Sequence, residues 1–222
     1  MRQIPLAMGL AQARSFASFV AGPNRAALEH LRSFGAASAP VYLWGPAGSG
    51  KSHLLAALAG DWQAMGARVG AFDAATPLPW TFADGCRLIL LDDCERLDAE
   101  RQHAAFTLCV EAATAGVPWV AAGRVPPVDL PLRDDLRTRL AWGVVFALAP
   151  LGEADARAVL RRAADARGIF LSDEVMDYLL TRFARDLAHL SALLDRLDEF
   201  ALANQRAVTL PLLRRMLAEE HA

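Results

Sequence analysis

Gly45-Pro46-Ala47-Gly48-Ser49-Gly50-Lys51-Ser52 decides how this chain is read. It matches the phosphate-loop pattern G-x-x-x-x-G-K-[ST] at every fixed position. Val41-Tyr42-Leu43-Trp44 before it has the composition of a short buried strand, and His53–Met65 after it the periodicity of a helix. Glycines at 45, 48 and 50 let the backbone close around an anion and turn its N–H groups inward, while the helix adds its positive end. The pattern places Lys51 on the β- and γ-phosphates and the Ser52 hydroxyl on Mg²⁺. Of 23 basic residues, Lys51 alone is a lysine. A compact ammonium therefore stands where a point charge suits phosphate. The competing reading, a glycine-rich strand-to-helix turn with an accidental lysine, explains neither the full match nor the flanking pattern. ADP or ATP with Mg²⁺ is the expected ligand.

Outward from the loop, Leu88-Ile89-Leu90-Leu91 reads as a strand buried on both faces, with Asp92-Asp93 at its carboxyl end. Ligands of open α/β sheets lie off that end of the strands. Asp92 is the candidate Mg²⁺ ligand and Asp93 the candidate to polarise an attacking water. Further strands are expected at Val69-Gly70-Ala71-Phe72, Trp119-Val120-Ala121-Ala122 and Val144-Val145-Phe146-Ala147. Helices are expected from an Asn24 cap to Gly35, over Asp98–Ala115 and over Arg133–Leu140. The tip of the Trp119 strand, Ala121-Ala122-Gly123-Arg124, contributes no neutral amide, hydroxyl or acid. Phe16 and Phe19 precede the first strand; a purine stack and plain core packing both fit them. Arg137 and Arg139, two apart on a short helix, point in well-separated directions.

From Leu151 strands give way to four amphipathic helices, about Glu153–Arg167, Asp173–Arg182, Arg185–Asn204 and Leu210–Glu220. Gly168, Ser172 and Pro211 punctuate them. The expected organisation is an arm at 1–15, a nucleotide-binding α/β domain with a parallel sheet at 16–149, and a small all-helical domain at 150–222.

With 222 residues, 25 acids against 23 bases and a net charge of −2, the chain has no global field for nucleic acid or anionic membrane. No apolar run approaches the ~20 residues of a spanning helix, and no secretory leader is evident. Cys86, Cys94 and Cys109 lack C-x-x-C spacing, as expected of reduced thiols in the cytoplasm. In the arm, Gln3-Ile4-Pro5-Leu6-Ala7-Met8 could seat apolar anchors in a partner's pocket or have no role, and the six residues alone do not decide.

Strand, P-loop, acidic strand end, arginine-bearing helix and helical lid together resemble the AAA+ ATPase architecture. Phe19-Val20-Ala21-Gly22-Pro23-Asn24, Asp92-Asp93, Pro126-Pro127, Leu136-Arg137-Thr138-Arg139-Leu140-Ala141-Trp142-Gly143 and Phe183-Ala184-Arg185-Asp186-Leu187 resemble the core of the bacterial replication initiator DnaA. The layout, with an arm in place of DnaA's first domain and no DNA-binding module, resembles the family of DnaA regulatory inactivators (Hda). This resemblance implies a three-layer AAA+ domain with a lid, and a negative regulator of replication initiation. Phe19 and Val20 would line the adenine pocket, Arg185 would reach the bound phosphates from the lid, and Arg139 would be an arginine finger acting in trans. Gln3, Ile4, Leu6 and Met8 look like a sliding-clamp-binding motif, with Ala7 and Met8 where a second leucine or an aromatic is more usual. The implied partners are DnaA, the DNA polymerase III sliding clamp, DNA only through the clamp, and further copies of this chain. Because the Trp119 strand tip lacks a water-positioning group, the resemblance implies slow hydrolysis by this subunit itself. A self-hydrolysing AAA+ ATPase such as a helicase loader is the alternative; a small-molecule phosphotransferase suits the two arginines and the lid poorly.

Overall fold

Alternating side chains on short parallel strands set the layers of the first unit. The computed structural model describes residues 14–183, 187–204 and 206–219. Within Arg14–Pro150 five strands form one sheet: β1 (Val41–Trp44), β2 (Arg68–Phe72), β3 (Cys86–Leu91), β4 (Trp119–Gly123) and β5 (Val144–Ala147). Their order is β2-β3-β4-β1-β5 and every pair is parallel. Successive residues face opposite sides. Val41, Leu43, Leu88, Leu90, Val120 and Ala122 join one core with Leu28, Leu31, Leu54 and Leu58. Those leucines come from α1 (Arg25–Arg32) and α2 (Lys51–Ala64). Tyr42, Ile89, Leu91, Trp119 and Ala121 join the other, with Ala105, Leu108 and Cys109 of α3 (Ala99–Thr114) and Leu136 and Leu140 of α4 (Asp134–Leu140). A sheet covered on both faces explains why the strands read as continuous apolar runs. Leu54 and Leu58, at most 1% exposed, each contribute ~1.5–3 kcal/mol by burial.

Register fixes the site. Trp44 pairs with Gly123 on one side and Ala147 on the other, so the carboxyl ends of β4, β1 and β5 lie level. The chain leaves β1 there and turns through the glycine-rich loop into α2.

Two expectations at the first helix are corrected. Asn24 makes no side-chain cap, and a 3₁₀ turn, Gly22–Asn24, leads into α1 instead. The Asn24 amide donates to the Ala149 carbonyl at 2.8 Å and accepts the Ala149 N–H at 2.9 Å, tying the segment before α1 to the one after β5. The helix ends at Arg32 with Ser33 as C-cap, two residues before Gly35. Asp98 does cap α3, accepting the Arg101 N–H at 2.9 Å.

The described residues from Leu151 onward form a second unit of four helices: α5 (Glu153–Asp165), α6 (Asp173–Phe183), α7 (Leu187–Asn204) and α8 (Leu210–Glu219). Leu160, Val175, Leu179, Leu193, Leu197 and Leu213 make its core. Arg157 pairs with Asp177, and Arg167 with Asp195 at 2.6 Å, across its helices. Among the described residues no helix is long and apolar enough to cross a membrane.

Candidate nucleotide site

The loop between β1 and α2 is pinned to the neighbouring strands by its backbone. Gly45 N–H donates to the Gly123 carbonyl at 3.3 Å, and Leu148 N–H to the Trp44 carbonyl at 2.6 Å. A Cβ at Gly45 would lie 2.2 Å from the Leu148 oxygen, so glycine is required by close approach. At Gly50 the requirement is double: φ is +96°, and a Cβ would meet the Phe19 ring at 2.6 Å.

Lys51 is only 7% exposed. Its ammonium donates to the carbonyls of Gly45 at 2.7 Å and Pro46 at 2.9 Å, and lies 3.5 Å from Ser49 Oγ. Burial holds its pKa below the ordinary lysine value, opposed by the carboxylates of Asp92, Glu95 and Asp93. A cation desolvated in this way is stabilised by added anionic oxygen. The helix start beside it leaves unpaired N–H groups of its own. Cradle and cation fit a polyphosphate.

Asp92 follows β3, and its backbone N–H donates to the Phe72 carbonyl at 2.9 Å. Burial raises its pKa, working against hydrogen bonds from the Ser52 hydroxyl and from the Asp93 N–H at 2.9 Å. A P-loop hydroxyl and a carboxylate make the sparse donor set that Mg²⁺ takes when phosphates and water complete its shell. Among the described residues no group of three or more His, Cys, Asp or Glu forms a metal cage. Ser52 and Asp92 are the residues that could hold Mg²⁺ together with a nucleotide.

Asp93 stands in the left-handed region at φ 49°, and its carboxylate pairs with Arg96 at 3.3 Å. Glu95, which sequence reasoning missed, sits at the tip of β4. It accepts the Arg124 N–H at 3.1 Å and lies 3.1 Å from Arg124 Nε. The strand's own residues supply no polar side chain there, but the turn Cys94–Arg96 brings one into the same space.

On the other flank, Phe16 is buried in the core and Phe19 packs at its edge, against Gly50. The Phe19 ring also lies 5.4 Å from that of His53, and His53 Nε2 is 2.9 Å from the Ser15 carbonyl. Burial lowers the His53 pKa, so the neutral ring is favoured. Val20 is half-buried. Nothing in the sequence marked His53, since one histidine on a helix carries no pattern.

Arg137 pairs with Asp134 at 2.6 Å. Arg139 takes a different direction, its guanidinium 5.4 Å from the centroid of the Phe106 ring and 5.3 Å from that of Trp142. Trp142 is 70% exposed. Arg185 and the arm residues Gln3, Ile4, Leu6 and Met8 lie outside the described residues.

Residues 153–217 match the family model described as Hda, lid domain. Solved structures share the fold over nearly the whole chain. Domain III of the Thermotoga maritima replication initiation protein DnaA superposes with a TM-score of 0.77 at 20% identity, covering 94% of this chain and 97% of that one. AMPPCP-bound DnaA from Aquifex aeolicus gives 0.70 at 20% identity, over 95% and 70%. The Thermotoga maritima RuvB Holliday junction branch migration motor gives 0.59 at 16% identity, over 81% and 61%. The fold is that of the AAA+ proteins: a parallel α/β sheet domain followed by a helical lid.

Proposed function

We infer that this chain is a nucleotide-bound AAA+ regulator of replication initiation that promotes hydrolysis of ATP held by DnaA. The observation that carries the reading is the match of residues 153–217 to the Hda lid behind an intact P-loop domain. In this reading ADP or ATP with Mg²⁺ occupies the cradle of Lys51, Ser52 and Asp92, with Phe19 and Val20 beside the base and Arg185 as a further nucleotide-binding residue. Bound nucleotide supplies the negative charge around which these side chains are arranged. Lys51 neutralises phosphate, Phe19 closes the loop at Gly50, and Asp92 with Ser52 holds the metal.

Arg139 is then the finger offered to the nucleotide of a docked DnaA. A guanidinium supplied in trans is worth ~10³–10⁵ in rate. Leaving the Phe106 and Trp142 rings costs about 0.5–1 kcal/mol for each contact. A thousandfold acceleration corresponds to ~4 kcal/mol, so the resting contact does not prevent the task. It keeps the finger ordered until a partner arrives. The arm, through Gln3, Ile4, Leu6 and Met8, tethers the chain to the DNA polymerase III sliding clamp on DNA. The site lies in the cytoplasm with the replication machinery.

The test is hydrolysis of ATP preloaded on DnaA, with clamp and DNA present, on adding this chain. Stimulation that requires the clamp and is lost when residues 1–8 are deleted supports the reading; stimulation indifferent to the clamp removes the tether. Glu95 at the tip of β4 favours a second reading, a self-hydrolysing AAA+ ATPase such as a helicase loader. That reading expects steady turnover by the isolated chain that depends on Lys51 and Asp93.

A further inference from the structure

The tip of β4 is filled by side chains that do not belong to it. A Cβ added at Gly123 would meet the Tyr42 hydroxyl at 2.2 Å and Glu95 Oε2 at 3.2 Å. Tyr42 is fully buried, and its hydroxyl donates to the Val125 carbonyl at 3.1 Å, so it is anchored. Glu95 Oε2 accepts the Arg124 N–H and Oε1 faces Arg124 Nε, both at 3.1 Å. One residue therefore holds the carboxylate by a backbone hydrogen bond and faces it with the charge of its head, while Oε1 accepts no hydrogen bond. The two partners are unequally free: the Glu95 side chain is 13% exposed and that of Arg124 59%. Both act on the Lys51 ammonium, Glu95 as the second strongest of the carboxylates after Asp92, and Arg124 as an opposing cation.

We propose that Glu95 and Arg124 together read the terminal phosphate of a nucleotide in the P-loop. The chain would then tell a nucleoside triphosphate from a diphosphate by an ion pair that opens, rather than by a polar side chain on β4. The proposal rests on the nucleotide reading of the P-loop given above. When a further negative group arrives beyond Lys51, the exposed guanidinium is the partner that can move, and a phosphate is a stronger bidentate acceptor for it. The buried carboxylate stays, because the Arg124 N–H still holds it. Arg124 thus attracts the third phosphate and Glu95 repels it.

The two substitutions must therefore act with opposite signs, which loss of a merely structural ion pair cannot produce. The experiment is calorimetric titration of Mg-ADP and Mg-AMPPCP into the full chain as wild type, Glu95→Gln and Arg124→Ala. ADP affinity stays within about twofold in all three, AMPPCP binding tightens about fivefold in Glu95→Gln, and it weakens about tenfold in Arg124→Ala. A change of the AMPPCP-to-ADP ratio in the same direction in both variants, or in neither, with ADP still bound, overturns the sensor and leaves the P-loop reading standing. A wild-type chain that binds neither nucleotide overturns both.

Discussion

Replacing Asp92 with asparagine should make the nucleotide-free protein more stable while removing the metal-dependent part of nucleotide binding. The carboxylate is buried at the end of β3, and its pKa is raised chiefly by desolvation. A group whose folded pKa lies above its unfolded value binds more protons when folded across the interval between the two. Stability therefore falls as pH rises through that interval, and at neutral pH the charge works against folding. Each unit of such a shift is worth ~1.4 kcal/mol. Asparagine keeps one oxygen for the Asp93 N–H and places an NH2 where the second oxygen stood, toward which the Ser52 hydroxyl can turn as acceptor. Part of the gain is offset because Lys51 loses its strongest carboxylate neighbour, with Glu95 remaining. The net expectation is a gain, and each kcal/mol of it corresponds to about 2–4 °C in Tm for a chain of this length. Wild type should regain the advantage with Mg-ADP, since ligand at a hundred times its Kd adds ~2.7 kcal/mol. Thermal unfolding near pH 7.5 and near pH 4.5, with and without Mg-ADP, measures all three effects. The nucleotide-free difference should narrow as pH falls, because the wild-type carboxyl, its pKa raised by burial, takes up its proton more readily when folded than when unfolded. An Asp92→Asn protein less stable than wild type near pH 7.5 by about 1 kcal/mol or more would refute the reasoning.

Gly50→Ala should abolish nucleotide binding and cost ~1–3 kcal/mol, because φ is +96° and the new methyl meets Phe19; equilibrium titration and a urea midpoint check both. Asn24→Ala should lower stability by ~1–3 kcal/mol through the unpaired Ala149 N–H and carbonyl, with little direct effect on the phosphate cradle. Chemical denaturation followed by tryptophan fluorescence reads this. Trp142→Ala should lower global stability by no more than about 1 kcal/mol, the loss of its contact with Arg139, since the ring is 70% exposed; urea denaturation reads this.

How far the sequence could be read follows from what each residue depends on. The P-loop was legible because one local stretch carries the glycines, the cation and the hydroxyl at fixed spacing, and Lys51 stands in that cradle. The strands were legible because burial on both faces leaves uninterrupted apolar runs such as Leu88–Leu91. From its position alone Asn24 reads as a cap. Its actual partner, Ala149, lies 125 residues away and is brought near only by β5 pairing with β1. The acid at the β4 tip is hidden from the sequence for the same reason. A strand's own residues show what it contributes, whereas Glu95 reaches that space from another turn, and only Gly123 leaves room for it. The contacts of Arg139 with the Phe106 and Trp142 rings join α3 to the end of α4, a juxtaposition that no spacing along the chain encodes.

The central claim is that this chain lends Arg139 to the nucleotide of DnaA. Single-turnover hydrolysis of radiolabelled ATP preloaded on DnaA, with clamp-loaded DNA and either wild type or Arg139→Ala, tests it most directly. The account predicts that wild type accelerates hydrolysis and that the folded, nucleotide-binding Arg139→Ala protein leaves it at the unstimulated rate. Equal stimulation by the two proteins would contradict it.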